Sequence, residues 1–163
     1  MYEEKFMRRA VELSALALTQ PGTEPFGSVI VKDGKIVGEG LNHSLAHFDP
    51  TSHGETEAIR DACRNLQTVD LRGCELYTSA EPCALCVAAM VISGIGQMYY
   101  AASMAQCDPI FGPLPTAERF PIDCDHLRTE CGATVTGRSL KAEQRMDAEA
   151  LEVLKAWTAP RLG

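Results

Sequence analysis

No stretch of this 163-residue chain stays apolar for the roughly 20 residues that a bilayer-crossing helix needs, which excludes a helical membrane span. Positive charge is also scarce. Fifteen Lys and Arg stand against 22 Asp and Glu, giving a formal charge of −7 and a pI near 5.1. Such a chain has no global attraction for a polyanion, so nucleic acid is not the expected partner and a small molecule is. The opening MYEEKFMRRAVELSALAL carries early acids and no small-residue cleavage site, and is expected to be an amphipathic first helix rather than a leader. No internal repeat or Pro/Gly-rich linker divides the chain, and 163 residues suffice to bury a core, so residues 1–163 are expected to form one domain. An even, regularly spaced cysteine set is missing too. Seven scattered cysteines do not make a disulfide framework, which points to a reducing cytoplasm and leaves thiols available for a metal.

The patterns that are present give an alternating order of elements. Phe6, Ala10, Leu13 and Ala17 recur at helical spacing, and Gln20-Pro21-Gly22 ends that helix. In 27-GSVIVKDGKIVGEGL-41 two β-branched runs flank Asp33-Gly34, the signature of a tight hairpin. Thr51 or Ser52 is placed to cap a helix running from Glu55 to Cys63. A buried strand follows at 74–79, and Pro82 suits the first turn of a helix that Gly94 and Gly96 close. Gln97 to Ala101 reads as a strand, and the segment with Pro109, Pro113, Pro115 and Pro121 reads as loop. A fifth strand is expected near 133-ATVTG-137, with a last helix from Lys141 to Trp157. The implied fold is α/β, a three-layer α-β-α sandwich around a mixed central sheet of about five strands.

Chemistry concentrates in two short motifs. In 51-TSHGETEAIR-60, His53 and Glu55 sit at a helix start. Thirty positions on, 81-EPCALCVAAM-90 puts Cys83 and Cys86 three apart at another. Residues three apart on a helix share a face, and a helix N-terminus favours thiolates. His53, Cys83 and Cys86 thus make three ligands for Zn²⁺, leaving the fourth tetrahedral position for water, as in catalytic zinc sites. Zinc lowers the pKa of that water toward ~7, and Glu55, two residues past the ligand, is placed to move its protons. Glu57 is expected to be a solvated or supporting acid.

The H-x-E and P-C-x-x-C pair is the signature of zinc deaminases of nucleobases, and the chain resembles the cytidine deaminase-like superfamily. Segments 26-FGSVIVKDGKIVGEGLN-42, 49-DPTSHGETEAIR-60 and 77-YTSAEPCALC-86 are most similar to its bacterial guanine and cytosine deaminase branch. The resemblance implies zinc on His53, Cys83 and Cys86, Glu55 as acid/base, and Asn42 as a residue that hydrogen-bonds the base. It implies hydrolytic removal of a ring amino group from a free nucleobase or nucleoside, with guanine favoured. The chain has 103-SMAQCDPIFGPLPT-116 where guanine deaminases carry a G-F-D-D-like segment, which keeps cytosine and amino-triazines as expected substrates. The glycine of H-G-E, where many relatives have alanine, is expected to leave the ligand geometry undisturbed. A tRNA adenosine deaminase is the alternative of the same chemistry, and a non-catalytic zinc-binding interaction module is the alternative of another class. A small α/β domain of this kind is expected to form a homodimer. Cys63 and Cys74 are expected in the core, and 123-DCDHLRTEC-131 is expected to be a loop rather than a second metal site. Phe26 reads as either a core aromatic or a ring-stacking wall. His43, His47 and Cys107 carry no assigned role.

Overall fold

The structure is a computed structural model that describes residues 1–116, 118–119 and 122–161. Its backbone divides into two compact units, residues 1–124 and 125–163. The first holds a four-stranded mixed sheet in the order β2-β1-β3-β4. Its strands are β1 (Glu24–Lys32), β2 (Lys35–Asn42), β3 (Glu75–Ala80) and β4 (Gln97–Ala102). β1 pairs antiparallel with β2 and β3, and β3 runs parallel to β4. The hairpin turns at Asp33-Gly34, both at positive φ, as the dipeptide predicts.

Alternation along the strands builds two cores. Val29, Val31 and Tyr77 face α1 (Glu4–Ala15), where they meet Phe6, Met7 and Leu13. Ile30 and Leu76 face the opposite layer, formed by α3 (Gly54–Leu66) and α4 (Ala84–Ser93), and pack with Ala58, Ile59, Ala62 and Met90. Each such large side chain contributes roughly 1.5–3 kcal/mol on burial. Cys74 lies in this second core with Cys63 packed against it, as expected. The first unit is therefore a helix–sheet–helix sandwich, with four strands rather than five. The segment expected to be the fifth forms a 3-10 turn, Val135–Gly137, in the other unit. Its β-branched run is only three residues long, and Gly137 N–H closes it onto Thr134 O.

Other boundaries moved for local reasons. The 51–63 region is capped by His53 itself, with no side-chain cap from Thr51 or Ser52. Cys83, in extended conformation, is the N-cap of α4, so Pro82 lies just outside the helix. The short α2 (Ser44–His47) was not anticipated. The proline-rich loop contains α5 (Met104–Phe111), opened by a reciprocal capping box between Ser103 and Gln106. Pro121 of that loop lies outside the described residues. The 123–131 stretch is helical, α6 (Cys124–Gly132), supported by an Arg128–Asp125 ion pair one turn apart. The last helix, α7 (Asp147–Thr158), starts later than expected. Residues 141-KAEQR-145 have no apolar stripe to bury, and Met146 enters α7 from the left-handed region. Among the described residues no helix is long and apolar enough to cross a membrane.

The small residues of β2 set how closely α3 lies on the sheet. A Cβ on Gly40 would sit 2.1 Å from Gly54 O and 2.4 Å from Ala58 N, backbone atoms that cannot swing aside. Gly40→Ala is therefore expected to lift the α3 N-terminus, costing at least ~1–3 kcal/mol. The checks are a thermal melt, where the transition should fall by several degrees, and zinc content, which should drop because α3 carries His53. An unchanged melt with full zinc rules out this account of the contact.

Candidate metal centre and cavity

Two helix starts face each other at one end of the sheet. His53 is the N-cap of α3, Cys83 is the N-cap of α4, and Cys86 follows one turn in. His53 Nδ1 lies 3.6 Å from Cys83 Sγ and 3.4 Å from Cys86 Sγ, and the two sulfurs are 3.7 Å apart. A tetrahedral zinc with Zn–S near 2.3 Å and Zn–N near 2.05 Å requires S···S of about 3.8 Å and N···S of about 3.6 Å. The triangle of donors matches that geometry. Among the described residues this is the one set of three ligating side chains close enough to share an ion, and Cys124, His126 and Cys131 do not join such a set.

The electrostatics of the donors fit the same ion. Cys83 is pulled down to about 4, chiefly by its hydrogen bond with Cys86 and further by His53, against the cost of burial. Cys86 is pushed up by that same hydrogen bond and by burial, and His53 is raised, mainly by its bond to Cys83. The two thiols are thus pushed in opposite directions by the hydrogen bond between them. A dication held by the three donors would take both sulfurs as thiolates and balance their two charges. Glu55, 5% exposed, is raised by burial, and its carboxyl reaches the Cys86 thiol.

The cluster opens onto a cavity of about 540 Å³ whose wall includes Asn42, Glu55, Glu81, Phe111 and Arg119. Asn42 ends β2 and is buried. Its Oδ1 accepts from both the backbone N–H and the hydroxyl of Ser44, at 2.9 and 2.8 Å. With the oxygen so occupied, the amide offers its N–H₂ to other partners. Glu57 is turned away, held by Ser52 Oγ at 2.8 Å and by Arg60. The rings of His43 and His47 stack on each other, 4.8 Å apart, beside a separate shallow cleft. Cys107 and Phe26 line the main cavity, the latter with its ring 5.2 Å from Phe111.

Gly54 holds its place for a reason that the sequence did not reveal. A Cβ there would lie 2.3 Å from Phe26 O, so the glycine of H-G-E lets α3 approach the start of β1. Sequence reasoning also passed over four cavity residues. Glu81 adjoins the Pro-Cys motif and accepts the Met104 N–H at 2.8 Å, tying α5 to the β3–α4 junction. Phe111 lay hidden in the unassigned loop, where only the S-x-x-Q capping pattern signalled a helix. Glu24 and Arg119, 95 positions apart, carry no local signal at all.

Zinc content tests the centre. Wild-type protein is expected to hold about one zinc per chain, and Cys83→Ala or Cys86→Ala should lose most of it. Cys131→Ala, at an exposed thiol, should keep it. Full zinc in either ligand variant, measured by elemental analysis, excludes this set.

The comparisons with known proteins agree with this geometry. The cytidine and deoxycytidylate deaminase zinc-binding region matches residues 1–102. Guanine deaminase of Bacillus subtilis is 44% identical over 102 residues, which cover 63% of this chain and 65% of that protein. A tRNA-specific adenosine deaminase of Aquifex aeolicus is 40% identical over 102 residues, covering 63% and 67%. The sequence matches thus span about two thirds of the length of these curated relatives. The X-ray structure of the Bacillus subtilis guanine deaminase superposes with a TM-score of 0.80 at 34% identity, over 98% of this chain and 95% of that one. With its zinc-binding region matched over more than half its length, and the three donors set for a tetrahedral ion, the chain belongs to the cytidine and deoxycytidylate deaminase zinc-binding family.

Proposed function

We propose that the protein is a zinc-dependent hydrolytic deaminase that exchanges the ring amino group of a free nucleobase or nucleoside for oxo and releases ammonia. The observation that carries the reading is a three-donor centre, one ligand short of a closed shell, with the buried carboxyl of Glu55 beside it. When bound by His53, Cys83 and Cys86, zinc supplies a Lewis acid that makes water a nucleophile near neutral pH. Glu55 takes a proton from the attacking water and delivers it to a ring nitrogen. It then takes the second proton from the hydroxyl now on the ring carbon and passes it to the amine, which leaves as ammonia as the C–N bond breaks and the oxo group forms. Backbone N–H groups at the α4 N-terminus face the charge that develops on the tetrahedral carbon's substituents. Asn42, its oxygen occupied by Ser44, donates to an acceptor edge of the ring such as a carbonyl oxygen or an unprotonated ring nitrogen.

Guanine-like bases are the favoured substrates, supported by the similarity to a guanine deaminase; cytosine and amino-triazines share the reactive amidine group. A second reading, deamination of a tRNA adenosine, is favoured by the similarity to tRNA-specific deaminases. The cavity's charge opposes it, because Glu24, Glu55, Glu81 and Asp108 line it, Arg119 is the one arginine or lysine among the described lining residues and polyanion binding draws on Lys and Arg. The deaminase domain is taken to run over 1–163, in keeping with the near-complete superposition on the solved relative. The assembly is read as a homodimer, to which the exposed apolar side chains Val87, Val91 and Ile92 of α4 lend a face, and the seven free cysteines suit a cytoplasmic location.

Glu55→Gln is expected to keep zinc, lose ~10²–10⁴-fold in turnover and, once zinc is chelated from both proteins, melt no lower than wild type. Burial raises the folded-state pKa of this acid, so its charge costs stability once pH exceeds the unfolded value of ~4.3. That cost grows until pH passes the raised value, and a neutral amide removes it. Loss of zinc in this variant makes Glu55 a ligand and ends the proton-shuttle role.

Ammonia release from guanine, cytosine, their nucleosides and a tRNA anticodon stem, assayed side by side, tests the substrate class. Release from a base or nucleoside and none from the stem is the expected result. Asn42→Ala should weaken turnover of the good substrate by roughly ten- to a hundredfold, the range of a lost hydrogen bond in a buried site, at unchanged zinc. Efficient release from the stem alone would falsify the reading.

A further inference from the structure

We infer that Glu24 is a specificity-determining residue: by masking Arg119, it removes the cavity's cation from solution and keeps anionic substrates out. The inference rests on the deaminase reading above and narrows its substrates to uncharged or cationic amino heterocycles.

Glu24, the first residue of β1, accepts a hydrogen bond from Arg119 Nε at 2.9 Å. The pair is sheltered, with side chains 16% and 22% exposed. The guanidinium carbon also lies 4.7 Å from the Phe111 ring centroid and 5.5 Å from that of Phe26, so the cation is held against two rings as well as a carboxylate. All four residues line the cavity onto which the metal centre opens.

Arginine in a partly dry cavity is a ready receptor for carboxylate or phosphate, because its planar fork donates two parallel hydrogen bonds. Here Glu24 takes the Nε donor and sets its carboxylate beside the charge. What a ligand then meets is a wall that carries Glu81 and Asp108, and among the described lining residues Arg119 is the one arginine or lysine. An anionic ligand entering this low-dielectric space is repelled, whereas a neutral ring that donates N–H groups finds acceptors. Phe26 and Phe111, steadied by the guanidinium, supply flat apolar surface for such a ring. Glu24 therefore acts by excluding the wrong ligand as much as by shaping the right one.

The test measures dissociation constants by calorimetry on zinc-loaded full-length protein carrying Glu55→Gln, so that no turnover consumes the ligand. Two matched pairs serve as probes: cytosine with 5-carboxycytosine, and guanosine with its 5′-monophosphate. The neutral member of at least one pair should bind, and its anionic partner should bind far more weakly. Glu24→Gln should shrink that preference by roughly ten- to a hundredfold, the range of one charge-assisted hydrogen bond. Glu24→Gln with Arg119→Met should restore it. Arg119→Met alone, a check that does not depend on the folding of the Glu24 variant, should leave anion binding no weaker than before. A preference unchanged by Glu24→Gln, an anion gain that survives the double substitution, or anion binding weakened by Arg119→Met each overturns the masking role and leaves the deaminase reading standing. Failure of both neutral probes to bind overturns this inference, and the deaminase reading is then decided by the ammonia-release assay on guanine.

Discussion

Two helix N-termini must converge on one point to within the reach of a metal–ligand bond, and most of the first unit can be understood as what makes that possible. α3 and α4 leave different strands, β2 by way of α2 and β3 directly, yet bring His53 and Cys83 to 3.6 Å. The tolerance is small, because a shift of one ångström would take a donor outside bonding distance. Rigidity comes from below. Ile30 and Leu76 fix the sheet against the faces of both helices, and Gly38 and Gly40 allow α3 to settle with its backbone against β2. At the N-terminal end of α3, Gly54 lies against the Phe26 carbonyl. The same contact ties the metal-bearing helix to the strand that brings Glu24 and Phe26 into the cavity wall.

Charge in this site is managed by pairing rather than by solvent. Two thiols, an imidazole and a buried carboxyl lie within a few ångströms, an arrangement that would be costly if each group titrated alone. The helix starts favour thiolates, and a dication neutralises two of them. Glu55 is left as a carboxyl raised by burial, with the His53 ring beside it pulling the other way, a setting of the kind in which proton-exchanging groups are found. On the far side of the cavity the solution is the reverse. There Arg119 and Glu24 form a sheltered ion pair, with opposite charges side by side.

Periodicity and composition made β1, β2, β3, β4, α1, α3 and α4 legible, since each buries its own apolar face within a short span of chain. The metal donors were legible as well. His-x-Glu and Cys-x-x-Cys are local patterns, and the requirement for two sulfurs on one helical face is met by spacing alone. α5 was misread because four prolines outweighed the capping box at Ser103 and Gln106, although Pro109 is tolerated inside the helix. The expected fifth strand failed because strand propensity in three residues cannot outweigh a turn that satisfies its own hydrogen bond.

The sequence by itself determined the four strands and α1, α3 and α4, together with the metal-binding motif and its three donors, because these follow from residue chemistry and separations of a few positions. Only the tertiary structure decided what surrounds them. It set the 3.4–3.7 Å triangle of donors, the close seat of Gly54 on Phe26, the orientation of the Asn42 amide and the pairing of Glu24 with Arg119 across 95 positions. Those features depend on which backbones approach one another when two cores close on opposite faces of the sheet. Such approach is a property of the packed whole, and no local pattern of residues encodes it.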